Sequence, residues 1–307
     1  MIEKKQNNIN NYKISFLYYH SARDAMADVI KQYFLSGYKR IYIPGYIGWS
    51  PKEGSGIFDP LNAICGLKRN YYRMTKDLYV DVEALDRALQ EHSIVLLVNY
   101  FGFRDKRVHE IIRMAHSKGC LVAEDNAHGF FTYFCKGKTE ADATFFSLHK
   151  MFPFYEGGGL IINNGNSERF GCLKEPGGFN PFEYDYQGIA KKRTENYLYL
   201  LELLKGREEL FVPLRTISDL ENHIPQTLPI VIKVGNRDRI YEIMNGQGYG
   251  VVSLYHTLIE ELRNSEHEDA LWLSKRILNL PIHQDCDVTE YQGMMEVLVK
   301  ACEDEYI

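Results

Sequence analysis

An α/β fold, built on a mostly parallel sheet flanked by helices and followed by a smaller C-terminal α+β domain, is predicted by three features of the sequence. The run Ile94-Val95-Leu96-Leu97-Val98 is apolar at every position, as a central parallel strand covered on both faces must be. Residues 106–118 then place Val108, Ile111, Ile112 and Ala115 on one helical face, Gly119 stops the helix, and Cys120-Leu121-Val122-Ala123 follows as a second strand. That sequence of elements is one complete βαβ crossover. Finally, the chain has 307 residues, more than one core usually serves, and its pattern changes near Phe211.

The remaining elements fall in order along the chain. Ala22, Ala25, Met26, Val29, Ile30, Tyr33 and Phe34 share one face of an amphipathic helix that Ser21 caps and Gly37 ends. Arg40-Ile41-Tyr42-Ile43-Pro44 reads as a short buried strand, and residues 81–92 as a helix packing Val82, Leu85, Ala88 and Leu89. Short strands are expected at 143–146 and 159–163. Ligands of such sheets gather at the carboxyl ends of the strands. Beyond Phe211, Leu228-Pro229-Ile230-Val231-Ile232 is strand-like and helices are expected at 237–244 and 266–277. A last helix from Thr289 turns Tyr291, Met294, Met295 and Leu298 inward. The expected division is a large domain over 1–210 and a small one over 211–307.

Composition excludes several classes of function. Hydrophobic residues make up 45% and charged residues 25% of the chain, the balance of a soluble globular protein that buries a sizeable core. A formal net charge of -5 repels nucleic acid and anionic membrane, so neither is an expected partner. No stretch reaches the ~18 apolar residues of a membrane span. Met1-Ile2-Glu3-Lys4-Lys5-Gln6-Asn7-Asn8 is polar, without a signal-peptide core. The 6 cysteines form no Cys-x-x-Cys pair and no short Cys/His cluster. No metal site is therefore expected, and a reducing, cytoplasmic location is.

The chemistry-bearing residues lie at strand ends. Glu124-Asp125-Asn126-Ala127-His128-Gly129 directly follows a buried strand, which brings its acids to the sheet's carboxyl edge. Alone, Asp125 is an ordinary turn-capping aspartate. Downstream stands Ser147-Leu148-His149-Lys150, followed by a Glu156-Gly157-Gly158-Gly159 turn and another strand. A lysine so framed suits an enzyme that holds pyridoxal 5'-phosphate as a Schiff base, with a carboxylate keeping the pyridine nitrogen protonated. Without the strand-end aspartate and the glycine turn, Lys150 would read as a solvated surface lysine. The helix start Ser21-Ala22-Arg23 offers a hydroxyl and free amides to a phosphate, with Ser147 as a second hydroxyl; its plain alternative is a helix cap. Tyr46 or Trp49 is the expected aromatic plate over the cofactor ring, against a default of ordinary packing in a chain with Tyr 22 and Phe 16.

Four segments in order, Ser21-Ala22-Arg23-Asp24-Ala25-Met26, Val98-Asn99-Tyr100-Phe101-Gly102, Glu124-Asp125-Asn126-Ala127-His128-Gly129 and Ser147-Leu148-His149-Lys150, resemble the DegT/DnrJ/StrS-type sugar aminotransferases of aspartate-aminotransferase fold type I. Ser274-Lys275-Arg276-Ile277-Leu278-Asn279-Leu280-Pro281-Ile282 is similar to that family's ending. The resemblance implies that Asp125 pairs with the pyridine nitrogen, His128 lies near the cofactor's phenolic oxygen, Ser147 and Ser21 reach the phosphate, and Lys150 doubles as proton shuttle. It also implies a PLP-binding large domain, a homodimer, glutamate as amino donor, and a keto sugar nucleotide as acceptor, within surface polysaccharide or glycosylated-metabolite synthesis. Two departures are legible. The serine stands three positions before the lysine, nearer than in many members, and the family's Asn-x-Arg segment has no counterpart in Gly177-Gly178-Phe179-Asn180-Pro181-Phe182.

Competing readings weigh less. Ser147-x-x-Lys150 also matches acyl enzymes, yet their Lys-Thr-Gly and Ser-Asp-Asn partners are missing and Asp125 is left without a task. No Gly-x-Gly-x-x-Gly supports a nicotinamide enzyme. Dehydration or elimination on the same cofactor is the nearer alternative, although dehydratases of the family lack the lysine kept here. A cofactor-bearing protein without turnover is the third.

Overall fold

The structure is a computed structural model that describes residues 16–52, 54–164, 169–173 and 177–304. The polar segment 1–8, on which the expectation about export rests, lies outside the described residues. The first part of the chain forms β1 (Phe16–Tyr19), α1 (Ala22–Leu35), β2 (Arg40–Pro44), α2 (Phe58–Asn62), β3 (Lys68–Tyr72), α3 (Val82–Ala88), β4 (Ile94–Val98), α4 (Val108–Ser117), β5 (Leu121–Asn126), α5 (Phe130–Lys136), β6 (Ala143–Ser147), β7 (Gly158–Ile162) and the long α6 (Tyr186–Leu204). The remainder forms β8 (Phe211–Pro213), β9 (Thr227–Ile232), α7 (Arg237–Gly246), α8 (Glu268–Ser274), β10 (Ile277–Pro281) and α9 (Tyr291–Glu303).

The main sheet has 7 strands in the order β1-β7-β6-β5-β4-β2-β3. Strands β3, β2, β4, β5 and β6 run parallel, while β7 and β1 close one edge antiparallel. Ile94, Val95 and Leu96 of β4 are fully buried, as the uniform apolarity of that run requires. A separate antiparallel sheet is ordered β10-β9-β8. α6 packs on α5 of the first part and on β8, β9 and α9 of the second.

α1 forms where its periodicity places it. Ser21 caps its N-terminus by accepting from the Asp24 N–H, and Ala25, Met26, Val29, Ile30 and Tyr33 are buried. Tyr291, Met294, Met295 and Leu298 of α9 likewise face the core, after a 3₁₀ turn at Val288–Glu290.

Three expected boundaries shift. α3 ends at Ala88 because Leu89 turns extended and His92 adopts φ 52. β5 continues through Glu124, Asp125 and Asn126, because β6 supplies a ladder partner for each of them. Residues 266–277 do not make one helix: α8 stops at Ser274 and Ile277 enters β10, paired with Val231 of β9. The strand ladder there satisfies backbone groups that a longer helix would have to bond internally.

Candidate active site

At the carboxyl ends of β5 and β6 the fold leaves a cavity of about 890 Å³. Its walls come from the start of α1, residues within 47–52 and 54–57, the segment joining β6 to β7, and residues 253–257. Lys150, Asp125, His128, Ser147, Ser21, Ala22 and Arg23 all line it. Residues spread over much of the chain are thus brought to one place by the parallel crossovers.

Asp125 sits at the inner end. Residues alternate across a strand, so its neighbours Glu124 and Asn126 share the opposite face, where Asn99 Nδ2 donates to both, at 2.7 and 2.6 Å. Glu124 is fully buried and also meets Arg104 Nε at 3.4 Å and the Thr139 hydroxyl at 2.7 Å. This locked face aims Asp125 at the cavity. Asp125 is 7% exposed and accepts from the Ala127 N–H at 2.8 Å. Burial pushes its carboxyl up to about 6, against the opposing pull of the Ala127 N–H and Lys150.

Lys150 Nζ lies 3.1 Å from Nε2 of His128. The other imidazole nitrogen, Nδ1, accepts the Phe101 backbone N–H at 3.3 Å. Burial holds the imidazole well below its usual range, so it is neutral. Phe101 adopts φ 59, a left-handed conformation unusual for a bulky residue. Its ring stacks beside His128 with centroids 6.3 Å apart.

Gly158 assembles the other end of the cavity. It pairs with Ser147 across β6 and β7, and a Cβ built on it would stand 2.3 Å from the carbonyl carbon and oxygen of Ser21. Only glycine permits that approach, which sets the start of α1 beside Ser147. The Gly157 N–H donates to the His20 carbonyl at 2.7 Å, tying the two segments further. The Ser21 hydroxyl donates to Asp24 Oδ2 at 2.7 Å, which leaves a carboxylate at the rim of this helix start.

Of the two aromatics expected at the cofactor ring, one stands in the cavity wall. Tyr46 does not line the cavity: it is fully buried, enclosed by the rings of Tyr100 and Tyr255, each 5.5 Å away. Trp49 does line it and is 41% exposed. Tyr255 is a wall residue that sequence reasoning missed. It adopts φ 61 and packs against His128, Phe101 and Tyr100. Nothing in Ser253-Leu254-Tyr255-His256 marks it, since no glycine announces the backbone turn. On α6, Lys191 is exposed, whereas Arg193 is fully buried against Phe131 and Gln284.

No protein-family model matches the chain, and no curated protein matches its sequence. Solved structures do. The putative sugar aminotransferase Spr1654 from Streptococcus pneumoniae, in its PMP form, superposes with a TM-score of 0.75 at 14% identity, covering 94% of this chain and 88% of that one. The GDP-4-keto-6-deoxy-D-mannose-3-dehydratase of E. coli, with bound hydrated PLP, gives 0.70 at 17% identity, covering 92% and 87%. Helicobacter pylori PseC, an aminotransferase of pseudoaminic acid biosynthesis, gives 0.70 at 17%, covering 94% and 87%. The chain therefore has the fold of these PLP-dependent sugar enzymes: a mixed sheet of 7 strands flanked by helices, with a small antiparallel sheet beside it.

Proposed function

We infer that this chain is a pyridoxal-phosphate-dependent aminotransferase of the sugar-modifying kind. The observation that carries the reading is the convergence of Lys150, buried Asp125 and His128 in one cavity, opposite a serine-bearing helix start that Gly158 holds against Ser147. This donor set fits the cofactor. The Ser21 and Ser147 hydroxyls and the α1 amides suit a phosphate, and a buried acid suits a ring nitrogen. Lys150 supplies the amine.

When bound, the cofactor supplies an aldehyde that condenses with amines and a pyridine ring that draws electrons from the carbon bearing the substrate nitrogen. Asp125 would hold a proton on the pyridine nitrogen, whose positive charge would oppose the burial that pushes its carboxyl up to about 6. His128 would hold the phenolic oxygen, and Trp49 or Tyr255, both in the cavity wall, would pack on the ring. Lys150 would bind the cofactor's aldehyde carbon through its amine and, as a free amine, would serve as the base for the proton on the amino donor's Cα. Residues 1–210 form the cofactor domain and 211–307 the smaller one.

The acceptor is a keto sugar nucleotide and glutamate the donor, in a cytoplasmic homodimer of the DegT/DnrJ/StrS type. The sugar-enzyme fold supports the acceptor class, and the prevalence of twofold assemblies supports the dimer. Among the described residues no helix is long and apolar enough to cross a membrane.

Absorbance of the purified protein with pyridoxal phosphate, before and after L-glutamate, tests the reading. Wild type forms the visible band of lysine-bound cofactor, Lys150→Ala does not, and glutamate converts the band to that of the amine form. A band that no amino donor discharges supports the dehydratase or non-turnover alternative. No band in wild type overturns the cofactor assignment.

A further inference from the structure

The two hydrogen bonds on the His128 ring, taken together, fix more than its orientation. A backbone N–H can only donate, so Nδ1 of His128, which receives the Phe101 N–H at 3.3 Å, is the unprotonated nitrogen. The proton of the neutral ring is therefore on Nε2, the atom that stands 3.1 Å from Lys150 Nζ. An ammonium has three donors and no lone pair, and cannot accept from an N–H. Only the neutral amine makes a good contact there.

We propose that Phe101 is a positioning residue whose left-handed backbone locks His128 as its Nε2–H tautomer, and that this N–H holds Lys150 in the acceptor role that only its neutral, nucleophilic form can fill. The proposal rests on the function inferred above for the importance of Lys150, and assigns to Phe101 and His128 the preparation of that lysine.

The surrounding structure is built to keep the lock. Phe101 holds φ 59 and the following Gly102 φ 92, and a Cβ on Gly102 would meet the Ile224 carbonyl oxygen at 2.5 Å. The Phe101 carbonyl in turn accepts the Gln226 N–H at 2.8 Å. A non-glycine residue in that region costs about 1–3 kcal/mol and persists only where its surroundings hold it. Tyr255, at φ 61, also packs on the imidazole, with centroids 6.2 Å apart, and touches the Phe101 ring at 6.0 Å. Two left-handed residues from distant parts of the chain thus pin one histidine ring. Asp125 acts in the opposite sense, because its carboxylate attracts the ammonium form of Lys150. The same Nε2–H is the group left to bond the phenolic oxygen once a cofactor occupies the cavity.

Two measurements on the protein without added cofactor test the lock. Imidazole nitrogen shifts of ¹⁵N-histidine-labelled protein, assigned with His128→Gln, read the tautomer directly; the Nε2–H form is expected, and an Nδ1–H form overturns the proposal. The second is the rate at which an amine-acylating reagent labels Lys150 near neutral pH, followed by peptide mass spectrometry. His128→Leu removes the donor and slows labelling by about tenfold, while His128→Gln, which keeps an N–H, restores most of it. Equal rates in wild type and His128→Leu, with both folded by circular dichroism, also overturn it. Neither readout involves pyridoxal phosphate, so failure of the cofactor assignment is registered separately by the absorbance experiment.

Discussion

Gly158 lies so close to Ser21 that a Cβ on it would stand 2.3 Å from the Ser21 carbonyl oxygen. The strand carrying Gly158 also carries the pairing to Ser147, so one missing methyl group sets the distance between two hydroxyls. Gly158→Ala is expected to push the start of α1 away from β7. The overlap is with backbone and costs about 1–3 kcal/mol. Thermal unfolding would show the loss, and a pyridoxal phosphate titration would show an affinity drop larger than that for pyridoxal without its phosphate.

Asp125 carries a pH signature. Its carboxyl moves from an ordinary 3.8 up to about 6 in the folded chain. Between those values the folded state binds more protons than the unfolded one, so stability falls as pH rises through the window, and the full cost persists above it. About two units correspond to about 3 kcal/mol at most. Asp125→Asn keeps an acceptor for the Ala127 N–H and is expected to melt higher than wild type at pH 7 without cofactor. That advantage disappears below about pH 4. Melting curves across pH check both statements, and an advantage independent of pH would disprove the attribution.

Asp24 puts a carboxylate at the helix start assigned to the phosphate, accepting the Ser21 hydroxyl. Like charges separated by a few ångströms repel even in water. Asp24→Asn is expected to bind pyridoxal phosphate about tenfold more tightly and pyridoxal unchanged. If Asp24 only stabilised the first turn of α1, the substitution would lower the melting temperature and leave both affinities alone.

Gly48 backs the Tyr255 loop. A Cβ there would reach 3.0 Å from Tyr255 Cδ1 and 3.1 Å from its Cα, so Gly48→Ala shifts residues 253–257 in the cavity wall. Cofactor titration is expected to weaken severalfold while the melting temperature changes by only a few degrees.

Elements with strong period were legible from residues alone. β2 and β4 fall at the expected positions, and α1 and α4 differ by a residue or two. β1, α5 and α6 were not read. α6 begins from an Asp185 cap and buries Arg193 and Asn196 in its inner face, polar residues that blur an apolar stripe. The site divides in the same way. Asp125, His128, Ser147 and Lys150 announce themselves as a linear pattern around one crossover. Tyr255 and the Phe101 N–H do not, since their contribution comes from backbone conformation at residues whose identity favours the opposite. Of the two aromatics the sequence offers for the ring, Trp49 lines the cavity and Tyr46 does not, because Tyr46 is enclosed between the rings of Tyr100 and Tyr255.

The backbone splice between the loop after β2 and the segment before residue 260 has a kinetic meaning. Trp49 N–H donates to the Thr257 carbonyl at 2.9 Å and Ile259 N–H to the Ile47 carbonyl at 3.0 Å, stitching two walls of the cavity together by main chain. A hinge that opened these walls would have to break both bonds and expose the Tyr255 ring. Any motion that parts these walls therefore carries a barrier that includes the loss of two main-chain hydrogen bonds, each worth about 1 kcal/mol net.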